Sequence, residues 1–303
     1  VPELPDVTVY VEALGRRITG RVLERVRVVS PFVVRTAVPP LAAVEGRVVQ
    51  AVTRQAKRVV LALEGGLFLA LHLMLAGRLG WRRPGAPVPR RDGLAALDFA
   101  TGTLLVTERS RQRRASVHLL DGPAALAALD RGGIDPLRAT RQELAAALRR
   151  ENRTLKRALT DPRLVSGIGN AYSDEILHAA RLSPVALTRA LDEAELDRLH
   201  AALASTLLAW TERLRREAGE DFPEHVTASH AEMTVHGRYG KPCPTCGTAI
   251  QRVRYATNEV DYCPRCQTGG QVLADRALSR LLRGDWPRSI DDLEERTRER
   301  ARD

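Results

Sequence analysis

The chain has 303 residues, 44% hydrophobic and 28% charged, a globular composition with a prior of two domains and ample length for a buried core. Its net charge of +10 and pI of about 10.1 favour a polyanionic partner, in the first place nucleic acid. No apolar run is long enough to cross a bilayer, and the start lacks a basic stretch followed by an apolar one; we expect no membrane partner, no signal peptide and a cytoplasmic, nucleoid-associated location.

In chain order, VPELPD comes first. An α-amino group has a pKa near 8, against about 10.4 for lysine, so part of it is neutral at pH 7. A neutral amine attacks carbonyl-like carbons, including C1′ of a sugar, and a secondary proline amine gives an iminium, a strong electron sink. Val1 and Pro2 are therefore candidate nucleophiles, with Glu3 adjacent as acid or base and Asp6 as a second carboxylate. Taken alone, the prolines serve equally well as a stiff lead-in.

VTVYVEALGRRITG follows with helical spacing at Val7, Val11, Leu14 and Ile18, stopped by Gly20. Then come β-like runs: RVLERVRVVS, GRVVQAVTRQ, KRVVLALEGG, GLFLALHLML, LAALDF and GTLLVTE, with EGG and ATGT as turns. Residues 1–122 read as a β-sandwich with a packed helix. From Thr140 the pattern is helical: RQELAAALRRENRTLKRAL, SDEILHAARL and DEAELDRLHAALASTLLAWTERLRRE, giving a helical domain over 136–225. A third unit over 236–267 carries the cysteines. The extension 268–303 is charged, with one amphipathic piece, ADRALSRLLRGDW. The fold class is thus α+β and multidomain.

Cys243, Cys246, Cys263 and Cys266 form two Cys-x-x-Cys pairs within 24 residues. Each such turn aims two thiolates at one point, and four soft ligands in a tetrahedron suit one structural Zn2+ with no open coordination position. Two reactive dithiols fit this spacing poorly. The β-like IQRVRYA between the pairs suits a hairpin, and Arg252, Arg254 and Tyr255 on it suit a nucleic-acid groove or a solvated basic face. In LVSGIGNAYSDEIL, Gly-x-Gly-Asn precedes a helix; free N–H groups there attract phosphate, and the Asn170 amide adds a donor. The same motif also serves as an ordinary turn between helices. Only three of the 47 basic residues are lysines, Lys57, Lys156 and Lys241, so each is a place where a compact ammonium is expected to matter. Lys57 lies on or beside a strand, within reach of a phosphate.

Together these motifs resemble the formamidopyrimidine-DNA glycosylase / endonuclease VIII family. Pro2-Glu3-Leu4-Pro5-Asp6-Val7 resembles its start, Lys57 its β-hairpin lysine, GIGNAYSDEIL its helix–two-turn–helix core, and VHGRYGKPCPTCG…YCPRCQ its zinc finger. The resemblance covers about residues 2–267 in order. It implies an N-terminal β-sandwich with a packed helix, a central helix–two-turn–helix domain and a C-terminal β-hairpin zinc finger. It also implies a monomeric DNA repair enzyme that excises oxidised bases from double-stranded DNA and nicks the abasic site by β,δ-elimination. Pro2 would attack C1′ and form a Schiff base, with Glu3 assisting ring opening and protonation. Lys57 and Asn170 would bind phosphates beside the flipped nucleotide, and Lys156 also stands where relatives carry lysine.

The chain departs from the pattern at four places. Val1 precedes the proline: either it is a start residue removed from the mature chain, which we favour, or it stays and its own primary amine acts. Where relatives with HLGM insert methionine into the duplex, Leu75 stands here as the wedge. The family's Arg–Phe pair has no Phe in ERSRQRRASVHL, leaving Arg113 or Arg114 to fill the space opposite the lesion. The finger's arginine is Asn258, so the phosphate clamp is weaker or borrowed from Arg252 or Arg254. A non-catalytic binder of damaged or branched DNA on the same scaffold is the alternative. An RNA binder is a third reading, against which the Pro-Glu start speaks.

Overall fold

A computed structural model describes residues 2–110, 112–224, 226–254, 259–274 and 287–300, the last five as backbone. Val1, Tyr255, Asn258 and most of ADRALSRLLRGDW lie outside the described residues. The chain divides into two compact units. One is 1–132 with 208–228, the other 133–207 with 229–303.

The first unit begins with α1 (Leu4–Ile18), three residues earlier than its apolar spacing suggests. Leu4 and Pro5 fill the first two helical positions, where a missing N–H costs nothing. Asp6 in the first turn and Arg16 and Arg17 in the last complement the helix dipole. Val7, Tyr10, Leu14 and Ile18 are fully buried and lie across the sheet.

That sheet is antiparallel, in the order β1 (Val22–Leu23), β3 (Arg47–Gln55), β4 (Arg58–Leu63), β5 (Leu67–His72), β9 (Ser116–Asp121). The second, also antiparallel, runs β2 (Arg25–Val28), β7 (Gly93–Phe99), β8 (Gly102–Glu108), β6 (Gly77–Arg82). The expected run RVLERVRVVS is two strands: at Glu24 the chain crosses between sheets, its N–H bonding Asp98 O at 2.9 Å. Inner positions alternate as a sandwich requires, with Val59, Leu61 and Leu63 of β4 facing Leu97, Leu104 and Val106. The outer face is apolar too, because Val60, Ala70 and Leu120 pack under α2 (Gly122–Ala127).

Two strands carry no clear sequence signal, β6 and β9. In GRLGWR, glycines and arginines hide the alternation. Gly102 is required opposite it, since a Cβ there would stand 2.5 Å from the Trp81 indole. The segment 208–228 joins this unit through Phe222, whose ring centroid lies 5.7 Å from Tyr10 and 6.5 Å from Trp81, and through a bidentate Arg215–Glu12 pair at 2.8 and 2.6 Å.

In the second unit, α3 (Arg141–Arg149) starts at a reciprocal cap between Thr140 and Glu143. The expected continuous helix breaks over 150–154, and α4 (Leu155–Thr160) follows. Next come α5 (Asn170–Ala179) and α6 (Glu193–Ala218), which passes into the first unit from Leu208. β10 (Gln251–Arg254) and β11 (Glu259–Tyr262) pair antiparallel. α7 (Pro264–Gln267) and α8 (Ile290–Arg300) close the described chain. The architecture is α+β: a β-sandwich with a packed helix, a helical domain and a cysteine-bearing β-hairpin. Among the described residues no helix is long and apolar enough to cross a membrane.

Candidate functional site

Pro2 and Glu3 are buried at the start of α1, Glu3 to 2% exposure. The Glu3 backbone N–H donates to Asp6 Oδ2 at 2.7 Å, which pins the residue beside Pro2 to the first helical turn. Tyr10 is one turn further on. Its phenol oxygen accepts the Leu79 N–H at 3.4 Å, and burial pushes its pKa well above 10, with the charges of Arg78, Asp6 and Glu224 nearby. Arg78 and Leu79 line a cavity of about 560 Å³ together with Arg82, Thr107, Arg109 and Glu224. Arg82 and Glu224 form a bidentate ion pair on its wall. Through Tyr10, the amino-terminal helix therefore abuts the wall of a cavity lined by both charged and apolar side chains.

The strand register gathers a second set of residues. Arg58 pairs with His72, His72 with Ser116, and Gly77 with Glu108. The turn holding Lys57 and the loops 73–76 and 109–115 consequently leave the sandwich at one end. Leu75 is 55% exposed there, beside Met74 at φ +51°. Arg113 and Arg114 are exposed, Arg113 with its guanidinium on Arg91 O at 3.0 Å. The buried Glu108 carboxylate shapes their loop by accepting the N–H groups of Arg114 at 3.0 Å and Ala115 at 2.9 Å. Burial, then Arg58 and Lys57, pull the His72 pKa down to about 4, so its ring is neutral at pH 7 beside two cations. Sequence reasoning passed over His72 and Glu108. The only available signal was a polar residue at the end of an apolar strand.

In the second unit, Asn170 opens α5 after Gly167 at φ +81°. Lys156 and Arg252 both have carboxylate partners within the protein. The Lys156 ammonium is buried, 2.6 Å from Asp174 Oδ1 and 2.6 Å from the Asn170 carbonyl oxygen. It braces the Asn170 turn from within. Arg252 faces Asp261 in register, bonds it at 2.7 and 3.0 Å, and pairs with Glu259 at 3.0 Å. It is a cross-strand clamp, and Arg254 is exposed on the same strand.

The four cysteine sulfurs lie within 4.8 Å of one another and form no disulfide. Cys246–Cys263 at 3.4 Å and Cys243–Cys266 at 4.0 Å bracket the edge of about 3.8 Å expected for a tetrahedron with Zn–S near 2.3 Å. The donor set thus fits one structural Zn2+. His178 Nε2 lies 3.4 Å from Cys243 Sγ.

Comparison with known proteins covers both units. The formamidopyrimidine-DNA glycosylase N-terminal domain matches residues 1–115, its H2TH domain residues 133–215, and the zinc finger found in FPG and IleRS residues 240–269. The formamidopyrimidine-DNA glycosylase of Symbiobacterium thermophilum is 34% identical over 278 residues, covering 88% of this chain and 89% of that protein. That of Chloroflexus aggregans is 32% identical over 282 residues, covering 88% and 98%. An uncharacterized formamidopyrimidine-DNA glycosylase-like protein of Mycobacterium tuberculosis is 42% identical over 151 residues, covering 50% of this chain and 94% of its own. The fold is shared with Lactococcus lactis Fpg bound to abasic-site DNA, at TM-score 0.78 and 24% identity over 88% of this chain and 99% of that one. MutM in complex with DNA containing carbocyclic 8-oxo-G gives TM-score 0.78 at 24% identity, over 88% and 100%. With matched regions running from the amino-terminal helix to the cysteine hairpin, and relatives about one-third identical over most of their length, this chain belongs to the formamidopyrimidine-DNA glycosylase family.

Proposed function

We propose that this protein acts as a monomer on damaged duplex DNA, excising an oxidised base and nicking the abasic site by β,δ-elimination. One observation carries the reading: Glu3, next to Pro2 in the chain, has a buried carboxylate and a backbone N–H tied to Asp6 in the first turn of α1. The Pro2 nitrogen, as a free secondary amine, attacks C1′. The bond from C1′ to the base breaks, the base leaves with the proton given up by the amine, and a protonated Glu3 gives its proton to the ring oxygen as the ring C1′–O bond opens to the iminium. The iminium then acidifies C2′: loss of a C2′ proton to solvent expels the 3′-phosphate, loss of the C4′ proton expels the 5′-phosphate, and water hydrolyses the remaining iminium to free the amine. The cavity beside Tyr10 falls in the size range of small-ligand sites, about 300–1,000 Å³, and would receive the flipped base.

Lys57, Asn170 and Arg254 are assigned to flanking phosphates, joined by the neutral His72 ring. Leu75 is assigned to the gap in the stack, and Arg113 or Arg114 to the strand opposite. The chemistry requires Pro2 to head the mature chain, because an acylated nitrogen has no lone pair to give. A retained Val1 would transfer the role to its own primary amine, or leave a binder without catalysis. Incubation with duplexes containing a single oxidised purine or pyrimidine tests the reading. Release of the base with phosphate at both ends of the gap is expected; intact strands from a protein that binds the same duplex would overturn it.

A further inference from the structure

Asp174 is wholly buried, and three elements converge on it. Lys156 of α4 holds Oδ1 at 2.6 Å, the His236 ring meets Oδ2 through Nδ1 at 2.8 Å, and the Asp261 backbone N–H approaches Oδ2 at 3.4 Å. The same Lys156 nitrogen grips the Asn170 carbonyl at 2.6 Å. On the other side, Glu175 accepts the N–H groups of Thr234, Val235 and His236 at 2.8, 2.8 and 3.0 Å. Asp174, His236 and Asp261 are close enough together to hold a cation. Lys156 and Arg252 already supply the positive charge at the two carboxylates, so the cluster is better described as an internal relay.

The relay has a direction. His236 begins the segment leading into the cysteine hairpin, and Lys156 ends at the turn presenting Asn170. We propose that His236 is a positioning residue for DNA binding: it orients Asp174, which orients Lys156, which sets the Asn170 turn, and the link is tighter when the ring is protonated. This rests on the reading that Asn170 contacts DNA. Burial alone would lower the His236 pKa, but the hydrogen bond and charge of Asp174 outweigh it and raise the value, Asp261 adding to the effect and Lys156 opposing it. Glu175 adds a carboxylate at the His236 backbone. With the folded pKa raised, the contribution is fully present below the unfolded value. It fades as pH rises through the folded one.

The test is the affinity of the full, zinc-loaded chain for a duplex carrying a tetrahydrofuran abasic analogue, measured between about pH 6 and about pH 8.5. His236→Leu removes the donor and is expected to weaken binding about tenfold at the acidic end while leaving turnover at saturating DNA unchanged. His236→Asn keeps an N–H near the Nδ1 position. It should restore affinity at the alkaline end and flatten the pH profile. Zinc content and thermal unfolding of each variant verify folding. Asn170→Ala is the companion arm. Wild-type binding by that variant would remove the underlying assignment. Weak binding by it, alongside wild-type affinity and pH profile in His236→Leu, would overturn the relay alone.

Discussion

The backbone N–H of Glu3 donates to the Asp6 carboxylate at 2.7 Å, so the proposed acid is held by the helix it precedes. Both side chains are buried. Glu3→Gln keeps the shape and removes the ionisable group. Base release should fall by at least about a hundredfold, with duplex affinity nearly unchanged. Single-turnover excision assays check this, and unchanged excision would refute the role of Glu3.

Leu75 is a large apolar residue left more than half exposed in the turn between β5 and β6, so its burial contributes little to the fold. Leu75→Ala should therefore leave unfolding stability within about 0.5 kcal/mol. It should lower kcat/KM on a base-paired lesion by about tenfold, since an apolar wedge offsets a few kcal/mol of unstacking. Denaturant titration and steady-state kinetics, measured together, separate the two effects. Equal activity in the variant would remove Leu75 from the DNA interface.

His72 titrates in the opposite sense to His236. Its folded pKa of about 4 lies below the unfolded value of 6.5, so between these two values the unfolded chain binds more protons. Stability contributed by the neutral ring is present above the unfolded value and lost as pH falls toward the folded one, on the order of 3 kcal/mol in all. His72→Asn should make the first unit less acid-sensitive over that range. Urea unfolding at about pH 7 and about pH 4.5 measures it. An identical pH slope in wild type and variant would contradict the assignment.

Among the described residues, the apolar cluster that buries Cys243 and Cys263 is small, with Val235 and Ile250 as its other buried members. Four thiolates converging on one point in so small a cluster make a bound metal a main contributor to its stability. Chelation, or Cys263→Ser, should abolish tight DNA binding while the β-sandwich keeps its unfolding transition. Full affinity in the metal-free protein would contradict a structural zinc.

Much of this architecture is legible in the sequence. The α1 stripe, the Val- and Leu-rich strands and the paired Cys-x-x-Cys turns each repeat at a spacing that a single element imposes. What escaped depends on distant partners. β6 is a strand because β8 lies beside it and Gly102 makes room for Trp81. Lys156 and Arg252 look like surface cations in sequence, yet Asp174 is 18 residues from one and Asp261 is 9 residues from the other. Register and helix packing, which local pattern does not encode, turned both inward. His236 is visible only as a histidine between Val235 and Gly237; its carboxylate partner is 62 residues away.

The central claim, chemistry by a chain-terminal amine, is tested most directly by borohydride trapping. The protein is incubated with an abasic-site duplex and reductant, and the adduct is located by peptide mass mapping. A covalent adduct on the Pro2 nitrogen, in a mature chain that begins there, is the expected result. No adduct from a chain beginning at Pro2, or an adduct confined to Lys57, would contradict the account.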